Sequence, residues 1–233
     1  GSTCARGPDN TPPREVALIG LPSGVTAGSV LQHPGVKELH AIEIEPSMPK
    51  ATRFFDFINN KPLDDPRLRL HIDDARDFLT LAPKLFDVII AEPSNPWLSG
   101  VANLFTRDCF EIGKAALKPD GIYCQLIQFY SLKPREVKVL MRTFHAVFEH
   151  VYVFGVPPNI GEDSPGPDLV VLGSRRPLRL DSARLGSALQ VPSVRRDLAR
   201  VNLSSPGDLV TLLRMGPQET ARYHGEGLLN TAD

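Results

Sequence analysis

The strongest constraint on the fold is a regular alternation of apolar, strand-like runs and helical segments between residues 15 and 150. Short apolar runs bounded by turn residues are typical of buried parallel strands, and their alternation with helices favours a doubly wound sheet. The strand-like runs lie at 15–21, 39–44, 68–72, 86–91 and 122–127. Two further runs, at 151–156 and 169–172, indicate a hairpin. The sequence therefore predicts an α/β fold with a mostly parallel seven-stranded sheet and helices on both faces.

Three regions follow from this pattern. Residues 1–14 are polar and rich in Pro and Gly, which predicts a flexible leader. Residues 15–175 carry the strand–helix alternation. Residues 176–233 predict a small helical appendage, because Leu and Val recur at helical spacing in short segments at 182–189, 194–201, 206–215 and 218–223.

One helix between the strands has boundaries that the sequence marks clearly. Pro46 suits a first helical turn, and the pattern extends the helix to about Asn59. Its spacing places Phe54, Phe55 and Ile58 on one face.

Composition excludes several classes of function. The 26 basic and 27 acidic residues give a net charge of −1, so the chain lacks the basic excess of a nucleic-acid-binding protein. The three Cys are odd in number and widely spaced, which argues against a disulfide framework or a zinc knuckle. The six His are scattered, so no metal site is expected. No apolar run approaches the roughly 20 residues that span a bilayer.

A glycine turn and two acids occupy successive strand ends. Gly20-Leu-Pro-Ser-Gly24 joins the first strand to a helix, in the position of a nucleotide-binding turn. Glu43 ends the second strand, where an acid can bind ribose hydroxyls, and Asp74 follows the third, where it could accept an adenine amino group. Such acids are often merely solvated, but together they favour an adenosine-type ligand. No Gly-rich run with Lys is present, which argues against an ATPase.

The fourth strand leads into a loop with further polar groups. Pro93 and Pro96 cannot continue a central strand, so the chain leaves the sheet there. Glu92 and Asn95 therefore lie just past the carboxyl end of the strand, where open α/β sheets bind ligands. The alternative is a Pro-rich loop in which Glu92 is only solvated.

Six stretches, taken together, resemble one known family: IGLPSG, HAIEIE, LHIDDARDFL, FDVIIAEPSNPW, NLFTRDCFE and LKPDGIYCQ. They are similar in order and spacing to the polyamine aminopropyltransferase (spermidine synthase) family, and to its spermidine-synthase-like branch, some members of which are fused to membrane segments. The resemblance covers about residues 15–175. It implies the Rossmann-like fold of class I methyltransferases and a homodimer. The implied reaction transfers an aminopropyl group from decarboxylated S-adenosylmethionine to a polyamine, without a metal, and releases methylthioadenosine.

The resemblance assigns roles to individual residues. The donor-binding positions are Gly20, Ser23, Gly24, Glu43, Asp74 and Ala75. Glu92 takes the place of the family's catalytic Asp and is the candidate general base, since a protonated amine must lose a proton before it attacks. The acceptor side is assigned to Asn95, Gln125 and Tyr130.

Several positions depart from the family pattern. Glu92 is one methylene longer than the family's Asp, and Pro22 replaces a Gly beside the donor. Ser23 and Asn95 each remove a negative charge that would hold a cationic amine, and a lost charge-assisted contact typically costs about 1.5–3 kcal/mol. A neutral Ser23 would also tolerate the carboxylate of ordinary S-adenosylmethionine.

Three functions consequently stay open. They are an aminopropyltransferase, an S-adenosylmethionine-dependent methyltransferase of the same fold, and a catalytically impaired domain that binds nucleosides or polyamines. The resemblance is compatible with a cytoplasmic protein and with the soluble domain of a membrane-anchored one.

Overall fold

The computed structural model describes residues 14–83, 85–93, 101–128, 132–155, 168–179 and 181–232. These residues form an eight-stranded sheet in the order β3-β2-β1-β4-β5-β7-β6-β8. The strands are Glu15–Ile19 (β1), Glu38–Glu43 (β2), Leu68–Ile72 (β3), Phe86–Ala91 (β4), Leu117–Ile127 (β5), His150–Gly155 (β6), Leu169–Ser174 (β7) and Leu213–Met215 (β8). The α-helices are Val25–Leu31 (α1), Met48–Thr52 (α2), Ala75–Leu81 (α3), Arg107–Ala116 (α4), Pro134–Val147 (α5), Ser182–Leu189 (α6), Pro192–Ala199 (α7), Pro206–Thr211 (α8) and Pro217–His224 (α9).

The sheet confirms the predicted α/β architecture and locates its ligand crevice. Strands β3, β2, β1, β4 and β5 are parallel, and β7, β6 and β8 follow in antiparallel pairs. The chain builds outward from β1 to β3, then returns to place β4 on the other side of β1. This reversal is a topological switch point, so the crevice lies at the carboxyl ends of β1 and β4.

The strand count predicted from the sequence was wrong by one. Residues 206–215 were expected to form a single helix, but α8 ends at Thr211 and β8 pairs with β6. The amide of Gly155 donates to the carbonyl of Leu212 at 2.8 Å. The outer edge of β6 offers backbone partners that the local pattern cannot reveal, and these outweigh helix propensity.

Buried side chains cover both faces of the sheet. On one face, α3, α4 and α5 pack over a cluster that includes the rings of Phe110, Tyr123, Phe144 and Phe148. On the other face, α1 packs over a cluster of Val, Leu and Ala side chains. A third, small cluster of Leu189, Val194 and Leu198 holds the helices of the appendage together. The parallel strands are thus buried on both faces, which fixes their register.

The helix predicted from Pro46 to Asn59 is also corrected. Only α2 is α-helical, followed by a single 3-10 turn at Arg53–Phe55, and the Phe54 side chain is 80% exposed. Beyond the 3-10 turn, Asn59 is fully buried, and its side-chain amide donates to the carbonyl of Ser23 in the glycine turn. The α-helix does not continue to Asn59, because the buried contact of Asn59 with the glycine turn requires a different path of the chain.

No helix within the described ranges combines the length and apolar character needed to cross a bilayer.

Candidate active site at the carboxyl edge of the sheet

Gly20 brings the ends of three strands together. Its φ of 92° lies in the region that favours glycine. Its amide donates to the carbonyl of Ile42 on β2, while the amide of Glu92 donates to Ile19 on β1. A Cβ on Gly20 would come within 3.0 Å of the Glu92 carbonyl oxygen. The glycine is therefore required for β1 and β4 to end side by side.

Two buried polar side chains hold the turn that follows. The hydroxyl of Thr52 lies 2.8 Å from the carbonyl oxygen of Leu21, and the Asn59 amide donates to the carbonyl of Ser23 at 2.9 Å. Both side chains are fully buried. A Cβ on Gly24 would come within 2.6 Å of the Thr52 methyl group. The turn keeps its shape through its carbonyl groups, so Pro22, which has no N–H, does not prevent it from forming.

Glu43 is fixed at the end of β2. It is 7% exposed, and its two carboxylate oxygens accept the amides of Leu21 at 2.9 Å and Glu45 at 3.0 Å. A carboxylate oxygen can accept more than one hydrogen bond, so this arrangement orients Glu43 and leaves acceptor capacity for a ligand hydroxyl.

Asp74 caps the helix after β3. Its Oδ1 accepts the amides of Arg76 at 2.7 Å and Asp77 at 3.4 Å. Ala75, the first helical residue, is buried. The amide of Asp73 donates to the Glu43 carbonyl at 3.1 Å, which brings the ends of β2 and β3 together. Asp74 thus has a structural role at the position where the sequence suggested an adenine contact, and that contact stays a prediction.

Glu92 is half-buried immediately after β4. Its Oε1 accepts the hydroxyl of Thr26, in the first turn of α1, at 2.6 Å. The carboxylate is therefore directed across the switch point toward the glycine turn. The sequence interpretation missed Thr26, as well as Thr52 and Asn59, although the position of Thr26 two residues after the turn was available as a signal.

Gln125, on the strand next to β4, has a buried side-chain oxygen without a hydrogen-bond donor among the described residues. It is fully buried on β5, paired in register with Ala91. Its amide nitrogen donates to the Leu126 carbonyl at 2.9 Å, and its Oε1 accepts no hydrogen bond from the described residues. Exchanging the two amide atoms would place Oε1 against a carbonyl oxygen, which is repulsive. The predicted acceptor residues Asn95 and Tyr130 lie outside the described ranges.

The sheet order places the predicted residues in one row. Across β3-β2-β1-β4-β5, the strand ends present Asp74, Glu43, Gly20, Glu92 and Gln125 in turn. Four strand spacings of about 4.8 Å make an edge about 19 Å long. This is long enough for a nucleoside at one end and an extended amine at the other.

A separate charged cluster lies at the opposite edge of the sheet. Glu15 and Glu38 are the first residues of β1 and β2, and their carboxylates and the His40 ring have atoms within 4.8 Å of one another. Glu38 also lies 3.6 Å from the Arg69 guanidinium. This group is remote from Glu92 and does not contribute to the candidate site.

Residues 6–160 match the family model described as the spermine/spermidine synthase domain. The chain belongs to the spermine/spermidine synthase family. This agrees with the resemblance carried by the six stretches of sequence.

Relatives of this spermine/spermidine synthase domain include proteins named spermidine synthase, polyamine aminopropyltransferase and putrescine N-methyltransferase. The spermidine synthase of Dictyostelium discoideum is 29% identical over 181 residues, which cover 76% of this chain and 63% of that protein. Putrescine N-methyltransferase 2 of Nicotiana attenuata is 28% identical over 139 residues, which cover 59% of this chain and 37% of that protein. The chain thus spans about half the length of such relatives.

Solved structures share the fold. The spermidine synthase of Thermotoga maritima superposes with a TM-score of 0.71 at 21% identity, over 93% of this chain and 70% of that one. A spermidine synthase in complex with the transition-state analogue AdoDATO gives a TM-score of 0.69 at 20% identity, over the same shares of the two chains. At this level of identity, the likeness establishes the fold of the spermine/spermidine synthase domain.

Proposed function

We propose that this domain transfers an aminopropyl group from decarboxylated S-adenosylmethionine to a primary amine of a polyamine. The observation that carries the proposal is the position of Glu92, a carboxylate at the topological switch point of a chain of this family. Its hydrogen bond to Thr26 directs it toward the donor turn.

The donor would lie along the ends of β3, β2 and β1. Glu43 would accept the ribose hydroxyls, and Asp74 and Ala75 would border the adenine. The turn formed by Gly20, Ser23 and Gly24 would border the sulfonium. The acidic side chains on this edge would favour the positively charged sulfonium by Coulomb attraction.

The acceptor amine would approach from the side of β4 and β5. It loses a proton to Glu92, and its lone pair then attacks the aminopropyl carbon bonded to sulfur. The carbon–sulfur bond breaks, its electron pair stays on sulfur, and neutral methylthioadenosine leaves. The Oε1 of Gln125 would accept an amine N–H and so help align the nitrogen, because a buried acceptor without a partner is costly. Asn95 and Tyr130 are proposed to border the same amine.

A methyltransferase is the second candidate. Ser23 is neutral, so ordinary S-adenosylmethionine would meet no repulsion there, and one relative is named a putrescine N-methyltransferase. In that case Glu92 would deprotonate the same kind of amine, and only the transferred group would differ.

The test combines product analysis with one substitution. The protein is incubated with putrescine or spermidine and either donor, and released nucleosides are separated. Methylthioadenosine with a lengthened polyamine supports aminopropyl transfer, and S-adenosylhomocysteine supports methyl transfer. Saturable binding of the nucleosides without product would indicate the impaired, ligand-binding domain.

Glu92→Gln should lower turnover at least about 100-fold, as removal of a general base typically does. Glu111→Gln is the matched control, since Glu111 is exposed on α4 and pairs only with Arg107 among the described residues. Turnover of Glu92→Gln within about twofold of wild type would show that Glu92 is not the base.

The resemblance also implies a homodimer and a cytoplasmic location, or attachment to a membrane through other segments of a longer protein. We retain these as proposals. Sedimentation of the purified chain tests the first, since a dimer would have twice the 25.6 kDa mass.

A further inference from the structure

We propose that Thr26 is a positioning residue for the transfer reaction: its hydroxyl fixes which oxygen of the Glu92 carboxylate faces the acceptor amine. The inference rests on the proposed function of Glu92 and adds a residue to which neither the family resemblance nor the comparisons assign a role.

Thr26, which donates the hydrogen bond in this contact, is held rigidly. Thr26 lies in the first turn of α1, and the neighbouring Ala27, Val30 and Leu31 are buried against the sheet. Threonine is branched at Cβ and therefore has few accessible rotamers. The 2.6 Å hydrogen bond to Oε1 thus originates from a hydroxyl whose position is set by the packed helix.

The Glu92 side chain, which accepts this hydrogen bond, needs such a partner. The backbone of Glu92 is held by the hydrogen bond from its amide to the carbonyl of Ile19 and by the close approach of Gly20. Its side chain, however, has one more rotatable bond than the Asp that the family resemblance places there. A carboxylate on a longer stem can occupy more orientations, and catalysis by a base depends on correct placement of its oxygen.

The chemistry of the contact separates the two oxygens. Thr26 donates its only hydroxyl proton to Oε1, which makes that oxygen the less basic of the two. Oε2 is then the oxygen oriented to take the proton from the amine nitrogen. Thr26 and Glu92 consequently act as a pair: the hydroxyl compensates for the extra methylene.

The experiment is a comparison of Thr26→Val, Thr26→Ser and wild type. Val has nearly the same shape as Thr but no hydroxyl, so kcat should fall about tenfold while KM for the donor stays within about twofold. Ser keeps the hydroxyl and should restore kcat to within about threefold of wild type. A purely structural role would give a lower unfolding midpoint in urea with little change in kcat per folded molecule.

A second pair of variants makes the test specific to Glu92. In a Glu92→Asp background the shorter side chain should no longer reach Thr26, so adding Thr26→Val should change kcat less than twofold. Equal effects of Thr26→Val in both backgrounds would refute the pairing, as would wild-type kcat in the Thr26→Val single variant. If wild type itself gives no product with either donor, the proposed function has failed, which is distinct from either result.

Discussion

Gly28 in α1 illustrates how closely single residues determine the site. A Cβ on this residue would overlap the carbonyl oxygen of Asn59, the residue that holds the glycine turn. The backbones of α1 and Asn59 are therefore in direct contact, so neither can move without the other.

Gly28→Ala should lower the free energy of unfolding by about 1–3 kcal/mol, since overpacking at a backbone contact forces displacement. Gly186→Ala is the control. It lies in α6, where a Cβ would meet, among the described residues, only the Pro206 ring at 3.8 Å, so the substitution should be stabilising by up to about 1 kcal/mol. Urea unfolding measures both. Equal stability of Gly28→Ala and wild type would contradict the close contact.

Cys109 provides a chemical prediction at the same scale. Burial raises the pKa of its thiol to about 11, so at pH 8 it is almost entirely protonated. Only the thiolate reacts readily with iodoacetamide. Labelling of Cys109, located by mass spectrometry, should therefore be at least tenfold slower in the native protein than in urea. Comparable rates in the two states would show that Cys109 is accessible.

The limits of sequence reasoning are clear for individual residues. Gly20, Glu43 and Glu92 lie at strand ends as predicted, because strand ends can be located from apolar runs, and parallel strands end at one edge. Their roles in binding and catalysis stay predictions. Thr52 and Asn59 could not be found this way. Their partners are backbone carbonyls about 31 and 36 residues away, and nothing in a single chain position indicates such contacts.

At the scale of elements, the side chains of Arg142 and Thr143 attach the C-terminal segment to α5. The Arg142 guanidinium donates to the carbonyls of His224, Gly225 and Leu228, at 2.6–3.0 Å. Asn230 then bonds to Thr143 and to the carbonyl of Phe105. The segment after α9 thereby connects α5 to the beginning of α4.

Arg142→Ala should release this segment, because three charge-assisted bonds are lost together. The amides of Asn230 and Ala232, which donate to Thr143 and Asp108, should exchange with deuterium at least tenfold faster. Arg135→Ala, an exposed change at the other end of α5, should leave both rates unchanged. Unaltered exchange in Arg142→Ala would mean that the bonds of Asn230 and Ala232 hold the segment without Arg142.

Element boundaries were predictable where the apolar pattern and the local propensity agree. The predictions were wrong where a contact with a residue distant in sequence determines the local structure. Four of the five parallel strands were located within two residues of their bounds, whereas β5 begins at Leu117, five residues before its predicted start. The prediction of a continuous helix after Pro46 was wrong because Asn59, rather than an aromatic face, is buried. The prediction of a single helix over 206–215 was wrong because the last residues of this stretch form β8, which pairs with β6.

At the scale of the whole molecule, stability should depend on pH through the packing of α9 on α5 and β6. Burial lowers the pKa of His145 on α5, and the nearby His224 on α9 and His150 on β6 lower it further. Below its ordinary pKa, the unfolded chain binds a proton at His145 that the folded chain does not. Stability from this group is therefore fully present above about pH 7 and is lost as pH falls through the lower folded-state pKa.

Unfolding midpoints in urea should accordingly decline between pH 7.5 and 5.5. His145→Gln should reduce that decline, and one proton limits its contribution to about 1.4 kcal/mol per pH unit. His33→Gln serves as the control, since His33 is distant in sequence from this contact. An unchanged decline in His145→Gln would assign the pH dependence to other groups, such as His71, whose pKa is also lowered by burial.

The strand order also bears on how the chain is made. Among the described strands, β6 pairs only with β7 and β8, and both are translated after it. The parallel strands β1 to β5 can assemble as they emerge from the ribosome, but β6 has no neighbour in the sheet until residues 169–174 have followed. A nascent chain that has emerged from the ribosome as far as residues 155–168 therefore presents the outer edge of β5 and both edges of β6 unpaired, and this is the stage of synthesis at which a chaperone would matter most.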